Sequence, residues 1–129
     1  MLNSMNTPER VVQRQLEAYN ARDIEAWLAT YDSHAEQYEL HGQLLANGHG
    51  EMRARMQARF TEPDLHAELL SRTVMGAVVV DHERITRNFS EGRGTIEMLC
   101  IYEVSGDCIK KATFAIGARS LQAEAASAA

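Results

Sequence analysis

The sequence contains few cysteines and no long hydrophobic run, and each shortage excludes a class of protein. Two cysteines among 129 residues are too few for the disulfide framework of a small secreted domain. The longest apolar stretch, Val74 to Val80, spans only seven residues, whereas a membrane-spanning helix needs about 20. The first five residues lack the basic and apolar segments of a secretion signal. We therefore expect a reduced, cytoplasmic protein with no membrane partner.

Basic residues are also in the minority. Thirteen Lys and Arg stand against 18 Asp and Glu, which gives a formal net charge of −5 at pH 7. Because an acidic surface repels phosphates, this balance argues against a nucleic-acid partner. The remaining composition, 45% hydrophobic and 24% charged, is typical of one globular domain. We place that domain at residues 1–120 and expect the alanine-rich tail at 121–129 to be disordered.

Two amphipathic helices are predicted near the start of the chain. Pro8 follows residues that cap helices, and the apolar stripe of the first helix ends at Tyr19. A second, short helix is capped by Asp23 and buries Trp27 and Tyr31. Two helices joined so tightly are expected to pack against one common partner.

A third helix is predicted from about Glu51 to Phe60. Its core face carries Met52 and Met56, and its other face carries three arginines that we expect to point into solvent: Arg53, Arg55 and Arg59. Before this helix, residues 35–40 form a short strand candidate, and a polar, glycine-bearing loop joins the two.

Four strand-like runs separated by turn residues follow: Leu65–Met75, Ala77–Phe89, Gly94–Val104 and Cys108–Ala118. This pattern predicts an antiparallel meander. A three-residue loop before Cys108 would place Cys100 opposite Ala112 and Met98 opposite Phe114, which gathers apolar side chains on one face. The predicted fold is α+β, a curved antiparallel sheet wrapped around three N-terminal helices, with a cavity at its open end.

Several segments resemble a known superfamily. The stretch Met5-Asn6-Thr7-Pro8-Glu9, followed later by Asn20-Ala21-Arg22-Asp23-Ile24, resembles the opening of bacterial ketosteroid isomerases. The element order and the segment Leu44-Leu45-Ala46-Asn47-Gly48 resemble the SnoaL-like branch of the nuclear transport factor 2-like superfamily. The resemblance covers residues 6 to about 118. It implies a cone-shaped, cystatin-like fold, a homodimer joined through the outer face of the sheet, and chemistry without a cofactor.

The resemblance also implies roles for three residues. In ketosteroid isomerases a carboxylate base moves a proton, while a tyrosine and a protonated aspartic acid stabilise the dienolate oxygen. Those positions fall at Glu39, Gln15 and Cys100, respectively, in this sequence. The base is retained, but an amide is a weaker donor than a phenol and a thiol is a poor one. A true steroid isomerase is therefore disfavoured.

Glu39 is the first candidate for a catalytic residue. Inside an apolar cone its carboxylate would be desolvated and would become a better proton acceptor. The alternative is that the strand is turned over, so that Glu36 and Tyr38 face inwards and Glu39 lies in water.

Asp81, His82 and Glu83 form the densest titratable run of the second half. On a strand, Asp81 and Glu83 share one face with Ile85, and His82 faces the other way. A histidine near a carboxylate is suited to acid–base chemistry at neutral pH. The alternative is a solvated polar face or an ion pair at a dimer interface.

Other side chains are candidates for the wall of the cavity: Tyr19, Trp27, Tyr31, Met56, Met98, Cys100 and Phe114. At helical spacing the aromatic residues among them are equally typical of plain core. Because its expected neighbours are apolar, Cys100 is interpreted as a small buried side chain and not as a nucleophile. His34, Glu39 and His41 lack the spacing of a metal site, so no metal is predicted.

Three functions remain open at this point, the third of which is an accessory subunit of a larger enzyme, with an exposed apolar patch beyond the dimer surface. The first is a cofactor-free isomerase, cyclase or hydratase that moves a proton on a small apolar or amphipathic ligand. Glu39 is its main acid–base residue, with Gln15, Asp81 and His82 as further candidates. The second is a non-catalytic module for ligand binding or dimeric assembly.

Overall fold

The computed structural model describes residues 7–122, and the part of the predicted tail at 123–129 lies outside the described residues. The elements are α1 (Pro8–Ala21), α2 (Ile24–Ala29), β1 (Tyr31–Glu39), β2 (Leu44–Asn47), α3 (Gly48–Gln57), a 3₁₀ turn (Arg59–Thr61), β3 (His66–Met75), β4 (Val78–Phe89), β5 (Gly92–Ser105) and β6 (Cys108–Leu121). Within the described range, no helix has the length and apolar character needed to cross a bilayer.

The first two helices begin where the sequence predicts. The Thr7 hydroxyl accepts a hydrogen bond from the Arg10 N–H at 3.3 Å, and Pro8 occupies the first turn of α1. The Asp23 carboxylate caps α2 by accepting from the Ala26 N–H at 3.1 Å. Local capping chemistry therefore fixes both starts.

Three local predictions are wrong. The glycine-bearing loop contains strand β2, which pairs antiparallel with β1. The third helix begins at Gly48 and ends at Gln57, so that Phe60 falls in the 3₁₀ turn. Tyr31 is the first residue of β1 instead of a residue of α2, although it is buried as expected.

The six strands form one curved, unclosed sheet in the order β2-β1-β6-β5-β4-β3. Strands β3 to β6 form the predicted antiparallel meander. Strand β1 pairs parallel with β6, so the sheet is mixed and not purely antiparallel. The helices pack against one face of this sheet, and the core lies between the two layers. The predicted α+β cone is confirmed.

The register of the β5–β6 hairpin differs from the prediction. Cys100 lies opposite Phe114 instead of Ala112, and Met98 lies opposite Ile116. The turn between β5 and β6 contains two residues instead of three. Together with an irregularity in the pairing next to the turn, this shifts the register of the two strands by two positions. An even shift keeps each side chain on the predicted face, so Cys100 and Phe114 are both buried.

Candidate functional site

A cavity of about 60 Å³ lies between the helices and the sheet. Its wall includes every side chain predicted to bind a ligand, namely Tyr19, Trp27, Tyr31, Met56, Met98, Cys100 and Phe114, and also Gln15. A single water needs about 15 Å³ by the same kind of measure. The cavity therefore has room for a ligand with only a few non-hydrogen atoms.

Glu83 is the one carboxylate in the wall of this cavity among residues 7–122. Its side chain extends inwards from β4, and the residue is 4% exposed. Burial raises the pKa of Glu83 to about 7, and the charge of Asp81 adds to the effect, while Cys100 and Arg72 oppose it. Both protonation states of Glu83 are thus populated near neutral pH, as a general acid or base requires.

Asp81 does not line the cavity. It is fully buried on β4 and forms two hydrogen bonds with Arg72 of β3, Nε to Oδ1 at 2.7 Å and Nη2 to Oδ2 at 2.9 Å. Arg72 also donates to the Gln13 side-chain oxygen at 2.9 Å. Asp81 is therefore part of a buried ion pair away from the cavity, and the solvated-face alternative is wrong for it.

Glu39 and His82 lie outside the cavity, contrary to prediction. Gln37 is the last residue of β1 in the cavity wall, and Glu39 lies two positions further along, in a shallow depression beside His41. His82 is on the other face of the sheet, where its Nε2 lies 2.8 Å from Glu97 Oε1. Its strand position agrees with the predicted alternation, but neither residue reaches the cavity.

Five buried side-chain polar atoms have no hydrogen-bond partner among residues 7–122, and all belong to residues of the cavity wall: Gln15 Oε1, Trp27 Nε1, Tyr31 OH, Gln37 Nε2 and Glu83 Oε2. Protein interiors leave few such atoms unpaired, because each costs about 1–3 kcal/mol. The set contains both hydrogen-bond donors and acceptors. Their concentration at one cavity is typical of a site for a small polar ligand.

Arg55 and Arg59 also line the cavity, so the prediction that they point into solvent is wrong. Arg55 donates to Gln37 Oε1 at 3.2 Å. Arg59 lies in the 3₁₀ turn, where the periodicity of α3 no longer determines its direction. Arg53 does face outwards, and it pairs with Glu25.

Cys100 is buried as predicted, but its neighbours are not purely apolar. It lies directly opposite Asp81 on β4, and it is close to Glu83. Burial raises the pKa of the Cys100 thiol, and the charge of Glu83 raises it further. The thiol is therefore held in its unreactive, protonated form.

The histidines offer no metal centre within the part of the chain that the structure describes. No group of three or more His, Cys, Asp or Glu residues there is placed to hold a metal ion. His34 is exposed on β1. The Nε2 atom of His49 lies 2.8 Å from the backbone carbonyl oxygen of Tyr31, within hydrogen-bond distance.

Several residues of the site were missed at the sequence level: Gln37, Arg55, Arg59 and, as the acid, Glu83. A signal for Glu83 does exist, because Val79 and Ile85 flank it on the same strand face and are buried. That bracketing marks the face as an inner one.

A cone formed by a curved sheet over N-terminal helices is the fold of nuclear transport factor 2-like proteins. The sequence profile of the SnoaL-like domain matches residues 12–112. The chain therefore belongs to the SnoaL-like domain family.

Solved structures agree on the fold. An uncharacterised cystatin-fold protein from Novosphingobium aromaticivorans has a TM-score of 0.78 at 22% identity and covers 84% of this chain and 97% of its own. An NTF2-like protein of unknown function from Cytophaga hutchinsonii has a TM-score of 0.71 at 14% identity, with coverage of 85% and 89%. A protein from Jannaschia sp. CCS1, proposed to be a SnoaL-like polyketide cyclase, has a TM-score of 0.71 at 18% identity, with coverage of 92% and 88%. No curated protein sequence matches the chain.

Proposed function

We propose that the cavity binds a small carbonyl compound and that Glu83 transfers a proton to and from the carbon next to the carbonyl group. This is isomerase-, cyclase- or hydratase-type chemistry without a cofactor. The observation that carries the proposal is the group of unpaired polar atoms around one carboxyl whose pKa is about 7. Glu83 takes the role that the sequence assigned to Glu39.

The remaining polar groups suit the other half of such a reaction. Abstraction of a proton from carbon leaves negative charge on the carbonyl oxygen, which hydrogen-bond donors stabilise. Trp27 carries an indole N–H that has no partner among the residues that the structure describes. Burial raises the pKa of Tyr31 well above its ordinary value, so the Tyr31 hydroxyl stays protonated and able to donate. Both residues line the cavity together with Glu83.

The test is exchange of the methyl protons of acetone in D₂O, followed by NMR. Glu83→Gln keeps the shape of the side chain but removes the base. We expect the catalysed rate to fall by about 10²–10⁴-fold, the range that a general base supplies.

Glu39→Gln is the matched control, because Glu39 lies outside the cavity. It is expected to exchange acetone at the wild-type rate. Equal rates for wild type and Glu83→Gln would refute the role of Glu83. Loss of exchange in Glu39→Gln alone would return the role to Glu39. A wild-type rate equal to that of buffer would leave a non-catalytic binding module.

We also propose a homodimer joined through the outer face of the sheet, which the family resemblance implies. A groove beside His82 and Glu97 contains one large apolar side chain of that outer face, Leu99, which is 43% exposed. Sedimentation should give a dimer for the wild type and a monomer for Leu99→Lys, since a buried lysine disfavours the contact. A wild-type monomer at high protein concentration would contradict the proposal. Two free cysteines, Cys100 and Cys108, suit the reducing cytoplasm that we propose as its location.

A further inference from the structure

Three arginines, Arg55, Arg59 and Arg87, line the cavity of a chain whose formal net charge is −5. One carboxylate outside the wall, Glu62, is shared by two of them. Arg87 donates to the Glu62 carboxylate twice, from Nε to Oε1 and from Nη2 to Oε2, each at 3.0 Å. Arg59 Nε lies 3.9 Å from Glu62 Oε2. Positive charge is therefore in excess at this part of the wall.

Arg55 has no carboxylate within 4.0 Å among residues 7–122. Its polar contacts are to neutral groups, the Gln37 side-chain oxygen at 3.2 Å and the Met56 sulfur at 3.7 Å. Burial, followed by the charge of Arg59, lowers the pKa of Arg55. Within the described chain, neither half-buried guanidinium at the cavity has a close ion pair, since the charge of Glu39 acts on Arg55 from beyond 4.0 Å and Glu62, bound by Arg87, lies 3.9 Å from Arg59.

We propose that the ligand of the cavity is a short oxo-carboxylate, whose carboxylate group binds Arg55 and Arg59 while its carbonyl end extends towards Glu83. The placement of the carbonyl end rests on the function proposed above. A guanidinium matches a carboxylate by paired, charge-assisted hydrogen bonds. The small volume of the cavity, about 60 Å³, restricts the remaining part of the ligand to a few atoms.

The chain contains its own probe for this ligand. Trp27 is the one tryptophan in the sequence, and it lies in the cavity wall with its indole N–H unpaired. In a ¹⁵N-labelled sample its side chain gives a single indole cross-peak, whose shift can be followed during a titration. Pyruvate and pyruvamide form a suitable pair of ligands, because they have nearly the same size and differ in charge.

We expect pyruvate to bind at least tenfold more tightly than pyruvamide, as a charge-assisted hydrogen bond in a partly buried site implies. Arg55→Gln should reduce this preference severalfold, because Arg59 remains, and Arg55→Lys, which keeps the charge, should restore part of it. Arg53→Gln is the matched control on the same helix, since Arg53 pairs with Glu25 outside the cavity. It should keep the full preference for pyruvate.

The outcomes separate this inference from the proposed function. Equal affinities for pyruvate and pyruvamide would overturn the inference, even if acetone exchange still depended on Glu83. Competition by inorganic phosphate at the affinity of pyruvate would also overturn it, since the site would then be a general anion site. Pyruvate binding that survives in Glu83→Gln, with the same selectivity, supports the inference whether or not exchange is catalysed.

Discussion

Replacement of Glu83 by glutamine should make the protein more stable, and the gain should depend on pH. Burial first, and the neighbouring Asp81 second, raise the pKa of this carboxyl from 4.5 in the unfolded chain to about 7 in the folded protein. Each pKa unit corresponds to about 1.4 kcal/mol. Wild-type folding therefore carries a cost of about 3 kcal/mol when Glu83 is ionised.

The direction follows from proton binding in the two states. Below pH 4.5 the carboxyl is protonated in both states and has no effect on the pH dependence. Between pH 4.5 and 7 the unfolded chain releases this proton first, so rising pH favours unfolding. Above pH 7 the full cost is present. Glutamine does not titrate, so Glu83→Gln does not lose stability as the pH rises through this range.

Urea unfolding at a series of pH values, followed by Trp27 fluorescence, measures the effect. The free energy of unfolding of Glu83→Gln minus that of wild type should rise by about 3 kcal/mol between pH 4.5 and about pH 8. Altered packing around the new amide shifts the whole curve but not its slope. Glu103→Gln removes an exposed carboxylate from β5 and serves as the control. Parallel curves for wild type and Glu83→Gln would refute the reasoning.

Three further changes test the framework around the cavity. Arg72→Met should lower the free energy of unfolding, measured in urea, by about 3–5 kcal/mol, because Asp81 stays buried without its partner. Addition of Asp81→Asn should recover most of this lost stability. No recovery in the double variant would contradict the ion-pair account. Gly94→Ala should cost about 1–3 kcal/mol and lower the melting temperature, since its Cβ would collide with the β6 backbone, whereas Gly50→Ala meets nothing within 4 Å. Asn20→Ala removes two hydrogen bonds to the β3 backbone, at 3.0 and 2.7 Å, and should lower the free energy of unfolding by about 2 kcal/mol. Unchanged hydrogen-exchange protection at the start of β3 would show that Asn20 does not hold this strand.

The parts of the fold that depend on neighbouring residues were predictable. Capping by Thr7 and Asp23 and the alternation along β4 are local, and the structure agrees with both. The parallel pairing of β1 with β6 joins distant segments, and no local pattern encodes it. The hairpin register was missed because a two-residue turn and an irregular pair shift it by two positions, a change that leaves the hydrophobic alternation intact.

The site was predictable where apolar character decides the direction of a side chain. Trp27, Met98 and Phe114 line the cavity as expected. Charged residues were misplaced, because their direction depends on partners that the sequence does not reveal. Strand alternation put Asp81 and Glu83 on one face, and Val79 and Ile85 mark that face as the inner one, but the pairing of Asp81 with Arg72 depends on the packing of β3.

The parallel contact between β1 and β6 affects how the protein is made. The ribosome delivers β1 early, long before its parallel neighbour β6 has been synthesised. Such sequence-distant pairings slow folding, because a long loop must close before they contribute any stability. The nascent polypeptide therefore holds its N-terminal helices and first hairpin without their main packing surface until the final strand emerges from the exit tunnel.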